Sequence, residues 1–246
     1  MKKIISVIPS RYASSRFPGK PLAMILGKPM IQWVYERVKS VNEISEVYVA
    51  TDDQRIFDTV ESFGGKAILT GECACGSDRV YEACENIDCD VILNIQGDEP
   101  MIKTEMICDL ISAFDDPDVY MATLKKEITE ERDINNPNIA KLITDSNNNA
   151  IYFSRSTIPY NRDGIKDVKY FKHIGVYGYT KDFLKKFVFL PQSSLEKAEQ
   201  LEQLRVIENG YKIRVVETHY QSIGVDLPEH IAIVEHELKK EQNILR

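Results

Sequence analysis

Ile4-Ile5-Ser6-Val7-Ile8 is a short apolar run that Pro9 ends, and the loop Pro9-Ser-Arg-Tyr-Ala-Ser-Ser-Arg-Phe-Pro-Gly-Lys20 follows it. A short run that is apolar on both faces predicts a buried parallel strand. Outward from it, strand and helix patterns alternate. Met30 to Val38 has helical periodicity, with Pro29 at a first-turn position. Val47 to Ala50 predicts the next strand, and Gln54 to Phe63 a helix stopped by Gly64-Gly65. Ala67 to Leu69, Asp78 to Glu85, Val91 to Ile95 and Lys103 to Phe114 continue as strand, helix, strand and helix. This alternation predicts an α/β fold: a Rossmann-like, mostly parallel sheet with helices on both faces.

The second half changes character. Val119 to Leu124, Ala140 to Ile143, Ala150 to Phe153 and Ile174 to Tyr179 predict strands, and Asp145-Ser-Asn-Asn-Asn149 predicts a hairpin turn. Leu195 to Glu208 predicts one helix, stopped by Asn209-Gly210. Ile213 to Val216 predicts a strand, and Pro228 to Lys240 a final amphipathic helix. No repeat or low-complexity linker divides the chain. The expectation is a single domain over 1–246 with an inserted, more antiparallel lobe at about 125–185.

Composition narrows the class. The 246 residues are 43% hydrophobic and 28% charged, which is ordinary globular composition. The net charge of -7 has the wrong sign for a general nucleic-acid binder. The apolar run after Met1-Lys2-Lys3 is too short for a signal sequence or a membrane span. A soluble, cytoplasmic protein with no membrane insertion is therefore expected. Cys73, Cys75, Cys84, Cys89 and Cys108 show no zinc-knuckle spacing, and no histidine lies near them in sequence; ordinary reduced thiols are expected.

Ligands of open parallel sheets bind beyond the carboxyl ends of the strands, so the strand-end loops carry the interest. The loop 9–20 groups Arg11, Arg16 and Lys20 with small residues and Gly19. Such a loop can offer cations and backbone N–H groups to a polyphosphate, or it can be a solvated basic loop. It is neither a Walker A loop nor a Gly-x-Gly-x-x-Gly fingerprint, which argues against a classical NAD dehydrogenase. Gln96-Gly-Asp-Glu-Pro100 follows the most apolar strand. Asp98 there can hold a divalent cation or cap a turn. Asp226, in Gly224-Val-Asp226-Leu-Pro228, is a second candidate carboxylate or a helix cap.

The loop 9–22 resembles the signature of sugar-acid cytidylyltransferases. Gly27-Lys-Pro-Met30, Ala50-Thr-Asp52, Gly76-Ser-Asp-Arg79, Asn94-Ile-Gln-Gly-Asp-Glu-Pro100 and Tyr152-Phe-Ser-Arg155 continue it in order. So do His173-Ile-Gly-Val-Tyr-Gly-Tyr179, Leu201-Glu-Gln-Leu-Arg205 and Gly224-Val-Asp226. Together they resemble the CMP-Kdo synthetase family, whose sugar is 3-deoxy-manno-octulosonate (Kdo) and whose fold is nucleotide-diphospho-sugar transferase-like.

The resemblance implies that the sugar acid attacks the α-phosphate of CTP, with Mg²⁺ as cofactor and a homodimer as the assembly. It implies Arg11 and Lys20 on the triphosphate, supported by Ser14 and Arg16, with Ser10 and Ser77 among the nucleotide contacts. It implies Arg79 and Gln96 near the base, and Asp98 and Asp226 on the metal. On the sugar side it implies Arg155, His173, Tyr177, Glu202 and Gln203, with the sugar carboxylate taken by Arg155 or His173. Read by themselves, His173 could be a structural histidine, Tyr177 core, and Glu202 and Gln203 a solvated helix face. An 8-amino analogue or another ulosonic or sialic-type acid would use the same nucleotide half. A non-catalytic nucleotide-binding protein is the remote alternative.

Overall fold

The protein is described by a computed structural model covering residues 2–14 and 16–244. In chain order the strands and helices begin with β1 (Ile4–Pro9), β2 (Met24–Ile25), β3 (Lys28–Pro29), α1 (Met30–Lys39), β4 (Ile44–Thr51), α2 (Gln54–Ser62), β5 (Ala67–Leu69), α3 (Gly76–Cys84), β6 (Val91–Asn94) and α4 (Thr104–Ser112). They continue with β7 (Met121–Glu127), α5 (Glu131–Ile134), β8 (Lys141–Thr144), β9 (Ala150–Ser154), β10 (Phe171–Thr180), α6 (Lys181–Val188), α7 (Ser194–Glu199), α8 (Leu204–Glu208), β11 (Arg214–Glu217) and α9 (His230–Ile244). The chain forms two compact units, Met1–Cys108 with Gln221–Arg246, and Asp109–Tyr220. The stretch 125–185 lies inside the second.

In the first unit β1 pairs in parallel with both β4 and β6, and β4 pairs in parallel with β5. Ile5, Val7, Ile8, Val47, Val49, Ile92 and Leu93 are fully buried, as central parallel strands require. Helix α1 buries Met30, Ile31, Val34, Tyr35 and Val38, one face at helical spacing. Each such side chain contributes roughly 1.5–3 kcal/mol of burial. The C-terminal segment returns to this unit. Val234 and Leu238, one turn apart on α9, pack with Val225, Ile25, Met30 and Met101. That cluster fixes the segment that carries Asp226.

The second unit is mixed and more antiparallel. β10 runs antiparallel to β7, β8 and β9 form the expected hairpin, and β11 runs parallel to β7. β10 carries a bulge: Ile174 faces Leu124 but Tyr177 faces Thr123.

Three expectations need correction. Leu195 to Glu208 is not one helix; it is α7 and α8, broken where Gln200 takes a left-handed φ of 53°. A non-glycine residue in that conformation gives no sequence signal. The final helix starts at His230, so Asp226 does not cap it. Helix α6 was not expected; it follows β10 directly, and Phe183, Leu184 and Phe187 form its buried face.

Candidate functional site

A cavity of about 400 Å³ opens in the first unit beyond the carboxyl ends of β1 and β6. The loops 9–21, 73–79 and 96–98 line it. Ser10, Arg11, Ser14, Arg16, Lys20, Arg79, Gln96 and Asp98, all expected on the nucleotide side, stand in its wall. Its size suits a small-molecule ligand.

The basic loop is held by its own backbone. Gly19 N–H donates to Tyr12 O at 2.9 Å, and Gly19 adopts φ 70°, a conformation open to glycine. Lys20 then enters a short 3-10 turn, Lys20–Leu22. Its ammonium lies 2.5 Å from Asp98 Oδ2. Ser14 Oγ accepts from Phe17 N–H at 3.3 Å, a contact within the loop. Arg11 is exposed and has no ion-pair partner among the described residues, so its charge is free to meet an anion.

Gly97 explains how two strand ends approach so closely. A Cβ at that position would stand 2.5 Å from Ser10 Oγ and 3.2 Å from Pro9 O. Only glycine fits there without displacement. Ser10 Oγ is buried and has no hydrogen-bond partner among the described residues. An orphan hydroxyl of this kind is unfavourable until something meets it.

Arg79 is almost wholly buried. Its guanidinium donates to Asp52 Oδ2 at 2.7 Å and to Thr70 Oγ1 at 2.5 Å. The ion pair ties α3 to the ends of β4 and β5. Sequence spacing assigns no role to Asp52 or Thr70. The signal was absent because the three residues meet only in the fold. Gln96 donates to Asn94 Oδ1 at 3.0 Å. Ser77 is buried in the first turn of α3. The Cys73 thiol donates to Glu82, and burial, then that carboxylate, push it up to about 11. It is a protonated thiol and a poor nucleophile.

Asp98 lines this cavity, and the segment that bears Asp226 is tied to the same loop. Val225 N–H donates to Asp98 O at 2.8 Å, and Ser222 Oγ donates to Glu99. These bonds dock the segment 222–226 on the loop that bears Asp98. Asp226 pairs with Arg16 at 3.2 Å. Among the described residues no group of three His, Cys, Asp or Glu forms a ready metal cage. Two carboxylates without a third protein ligand suit Mg²⁺, which keeps waters and takes phosphate oxygens.

All five sugar-side candidates lie in the second unit, and His173, Tyr177 and Glu202 are neighbours there. His173 and Tyr177, both on β10, have ring centroids 5.4 Å apart, and Phe153 meets the histidine edge-on at 5.1 Å. Burial drives His173 down to about 3, so it is neutral at physiological pH although part of its surface is accessible. Burial first, then Tyr179 and Glu202, raise Tyr177. Glu202 lies in the break between α7 and α8, and Gln203 precedes α8. Gln203 is 3% exposed, and its amide nitrogen has no hydrogen-bond partner among the described residues. The surface-face alternative for Gln203 therefore fails.

Arg155 is engaged elsewhere. Its guanidinium donates to the carbonyls of Glu199, Pro137 and Gln200. Two of these end α7, so Arg155 caps that helix and holds the left-handed turn at Gln200. Arg155 also has its carbonyl bound by the buried ammonium of Lys141 at 2.6 Å.

Comparison with known proteins places this geometry. The family model described as cytidylyltransferase matches residues 5–213. A 3-deoxy-manno-octulosonate cytidylyltransferase of Syntrophus aciditrophicus is 49% identical over 95% of this chain and 96% of its own. That of Thermodesulfovibrio yellowstonii is 50% identical over 94% and 96%, and that of Fusobacterium nucleatum 49% over 98% and 99%. A solved CMP:2-keto-3-deoxy-manno-octonic acid synthetase complexed with CTP superposes with a TM-score of 0.93 at 43% identity, covering 97% of this chain and 99% of that one. A 4-diphosphocytidyl-2C-methyl-D-erythritol synthase from Anaerococcus prevotii, 18% identical with a TM-score of 0.62, shares the fold.

Proposed function

The chain belongs to the family of 3-deoxy-manno-octulosonate cytidylyltransferases, and from that premise we infer that it activates Kdo with CTP. The anomeric hydroxyl oxygen of the sugar acid bonds to the α-phosphorus of CTP. The bond from that phosphorus to the bridging oxygen breaks. CMP-Kdo and pyrophosphate form, and the hydroxyl proton passes to solvent or base.

The observation that carries the site reading is the Lys20–Asp98 pair, 2.5 Å apart at the junction of two strand-end loops. Each partner neutralises the other until a triphosphate and a cation offer both better partners. Lys20 and Arg11 would then face phosphate oxygens, where charge builds on the departing pyrophosphate. Ser10, with its buried unpaired hydroxyl, and Ser14, Arg16, Arg79 and Gln96 complete the nucleotide side, with Ser77 buried behind the cavity wall in the first turn of α3. Asp98 and Asp226 would hold Mg²⁺, whose charge offsets that of the triphosphate. His173, Tyr177, Glu202 and Gln203 form the sugar side. Gln203 supports this with a donor left unmet inside the protein. Arg155 supports it indirectly, by holding the turn that presents Glu202 and Gln203.

A homodimer and a cytoplasmic location belong to the same proposal. No helix among the described residues is long and apolar enough to cross a membrane, and Tyr160 and Ile165 expose 83% and 66% of their surface to a potential partner. Light scattering at micromolar concentration tests the dimer. Pyrophosphate release tests the activity, with CTP and a panel of ulosonic acids. Kdo should give the highest kcat/KM. No release with Kdo, or equal release with other nucleoside triphosphates, would overturn the reading.

A further inference from the structure

Thr123 lies on β7 with no exposed surface, and its hydroxyl faces three groups of β10. Val176 O is 2.8 Å away, Ile174 O is 3.2 Å away and His173 Nε2 is 3.0 Å away. A hydroxyl has a single proton, and carbonyl oxygens only accept. Its shortest contact is Val176 O, to which the hydroxyl donates. The hydroxyl oxygen is left to accept, and the group opposite it must donate. With the hydroxyl proton directed at Val176 O, this geometry matches the His173 tautomer protonated on Nε2.

The bulge makes this contact possible. Ile174 pairs with Leu124 and Tyr177 with Thr123, so Gly175 and Val176 are the residues out of register. Their displacement brings two carbonyls and the imidazole to the same hydroxyl. Phe153 and Tyr177 confine the ring at centroid distances of 5.1 Å and 5.4 Å. The second ring nitrogen, Nδ1, has no hydrogen-bond partner among the described residues.

We propose that Thr123 is a positioning residue that holds His173 as the neutral Nε2–H tautomer, leaving Nδ1 to accept a hydrogen bond from a hydroxyl of the sugar acid. The proposal rests on the sugar-side reading of His173 and deepens it. A neutral acceptor discriminates differently from a cation. It reads a hydroxyl proton and offers nothing to the carboxylate of the same sugar. The depressed basicity of His173, with its value of about 3, agrees with that assignment.

The test uses the full chain labelled with ¹⁵N at histidine, the His173 signals being assigned by their loss in His173→Gln. In the wild type, Nε2 should be protonated and Nδ1 bare, and Nδ1 should respond to Kdo. Thr123→Val keeps the side-chain shape and removes the acceptor. It should mix the tautomers and raise the Kdo KM about ten-fold, the size of one ordinary hydrogen bond. Calorimetric CTP affinity should not change. Thr123→Ser should restore both the tautomer and the KM.

An Nδ1–H or mixed tautomer in the wild type overturns the proposal and leaves the sugar-side reading standing. So does Thr123→Val with unchanged spectrum and KM. If the spectra behave as expected but Nδ1 ignores Kdo and His173→Gln leaves the KM unchanged, the sugar-side reading itself fails, and the proposal with it. Should Thr123→Val not fold, the wild-type spectrum and the Thr123→Ser variant still decide.

Discussion

The ammonium of Lys20 stands 2.5 Å from Oδ2 of Asp98, so the loops after β1 and β6 neutralise each other directly. The two residues are 78 positions apart in sequence. Both are partly accessible, with 14% and 35% of the side chains exposed, so the pair is open to exchange of partners and adds little to stability. A phosphate can take Lys20 while a cation takes Asp98.

Asp98→Asn tests that exchange. The substitution keeps volume and removes the charge that the cation needs. Turnover, read as pyrophosphate release, should fall by at least about a hundred-fold, a loss on the scale of one missing electrostatic group. Thermal melting should shift little. Chelation by EDTA should abolish wild-type activity, and Mg²⁺ should restore it. Turnover near the wild-type level in Asp98→Asn would remove the metal assignment.

Ser10 and Gly97 make a second, coupled test. Gly97→Ala puts a methyl carbon 2.5 Å from Ser10 Oγ and 3.2 Å from Pro9 O. Overpacking of that kind costs about 1–3 kcal/mol. Ser10→Ala deletes a buried hydroxyl that has no partner, so the variant should melt at the wild-type temperature or slightly above it. The double variant should recover part of the Gly97→Ala loss, because the serine oxygen is the nearest obstruction. If Ser10 meets the nucleotide, Ser10→Ala should also weaken CTP binding by calorimetry. Strict additivity in melting would show that Pro9 O, not Ser10, limits the contact.

Much of this site was legible before any coordinates. β1 and β6 read as short, mostly apolar runs because they are buried on both faces, Val47 to Ala50 marks the inner end of β4, and their loops fall where an open sheet binds ligands. The path of the chain between Leu195 and Glu208 was not legible. Gln200 adopts a left-handed φ of 53° without being glycine, and the clamp that holds it there, Arg155, lies 45 positions away. The partners of Arg79 were equally hidden, since Asp52 and Thr70 come from separate strand ends. Nor could spacing reveal that His173 is neutral. That follows from burial in the fold.

His173 also predicts a pH dependence of stability. Its ordinary value of 6.5 applies to the unfolded chain, and burial lowers it to about 3 in the fold. Below 6.5 the unfolded state takes up a proton that the folded state refuses. The contribution is therefore fully present above about 6.5 and is lost as pH falls towards 3. The slope is at most about 1.4 kcal/mol per pH unit. His173→Gln should flatten the decline between about pH 6.5 and 5, above most carboxylate titration. Denaturant melts of both proteins across that interval measure it. Parallel declines would mean that His173 is protonated in the fold.

Gln203→Ala separates the sugar half from the nucleotide half. Gln203 is 3% exposed, and its amide nitrogen is buried without a partner. Two opposed expectations follow from that one fact. If the residue were purely structural, removing an unsatisfied donor would relieve a penalty, and only the smaller packing would count against stability. Catalysis would not notice. If the donor awaits the sugar, its loss leaves a substrate hydroxyl or carboxylate without a partner in a desolvated setting, at about 1–3 kcal/mol. The Kdo KM should then rise roughly 5- to 150-fold, and CTP affinity measured without sugar should stay as it is. Gln203→Glu adds a discriminating arm. It preserves shape but replaces the donor with an acceptor, and beside an anionic sugar it should be worse than alanine. A variant series that weakens CTP alone, or that changes melting but not KM, would take Gln203 and the break between α7 and α8 out of the sugar side. The nucleotide half would stand, because it depends on Arg11, Lys20 and Asp98.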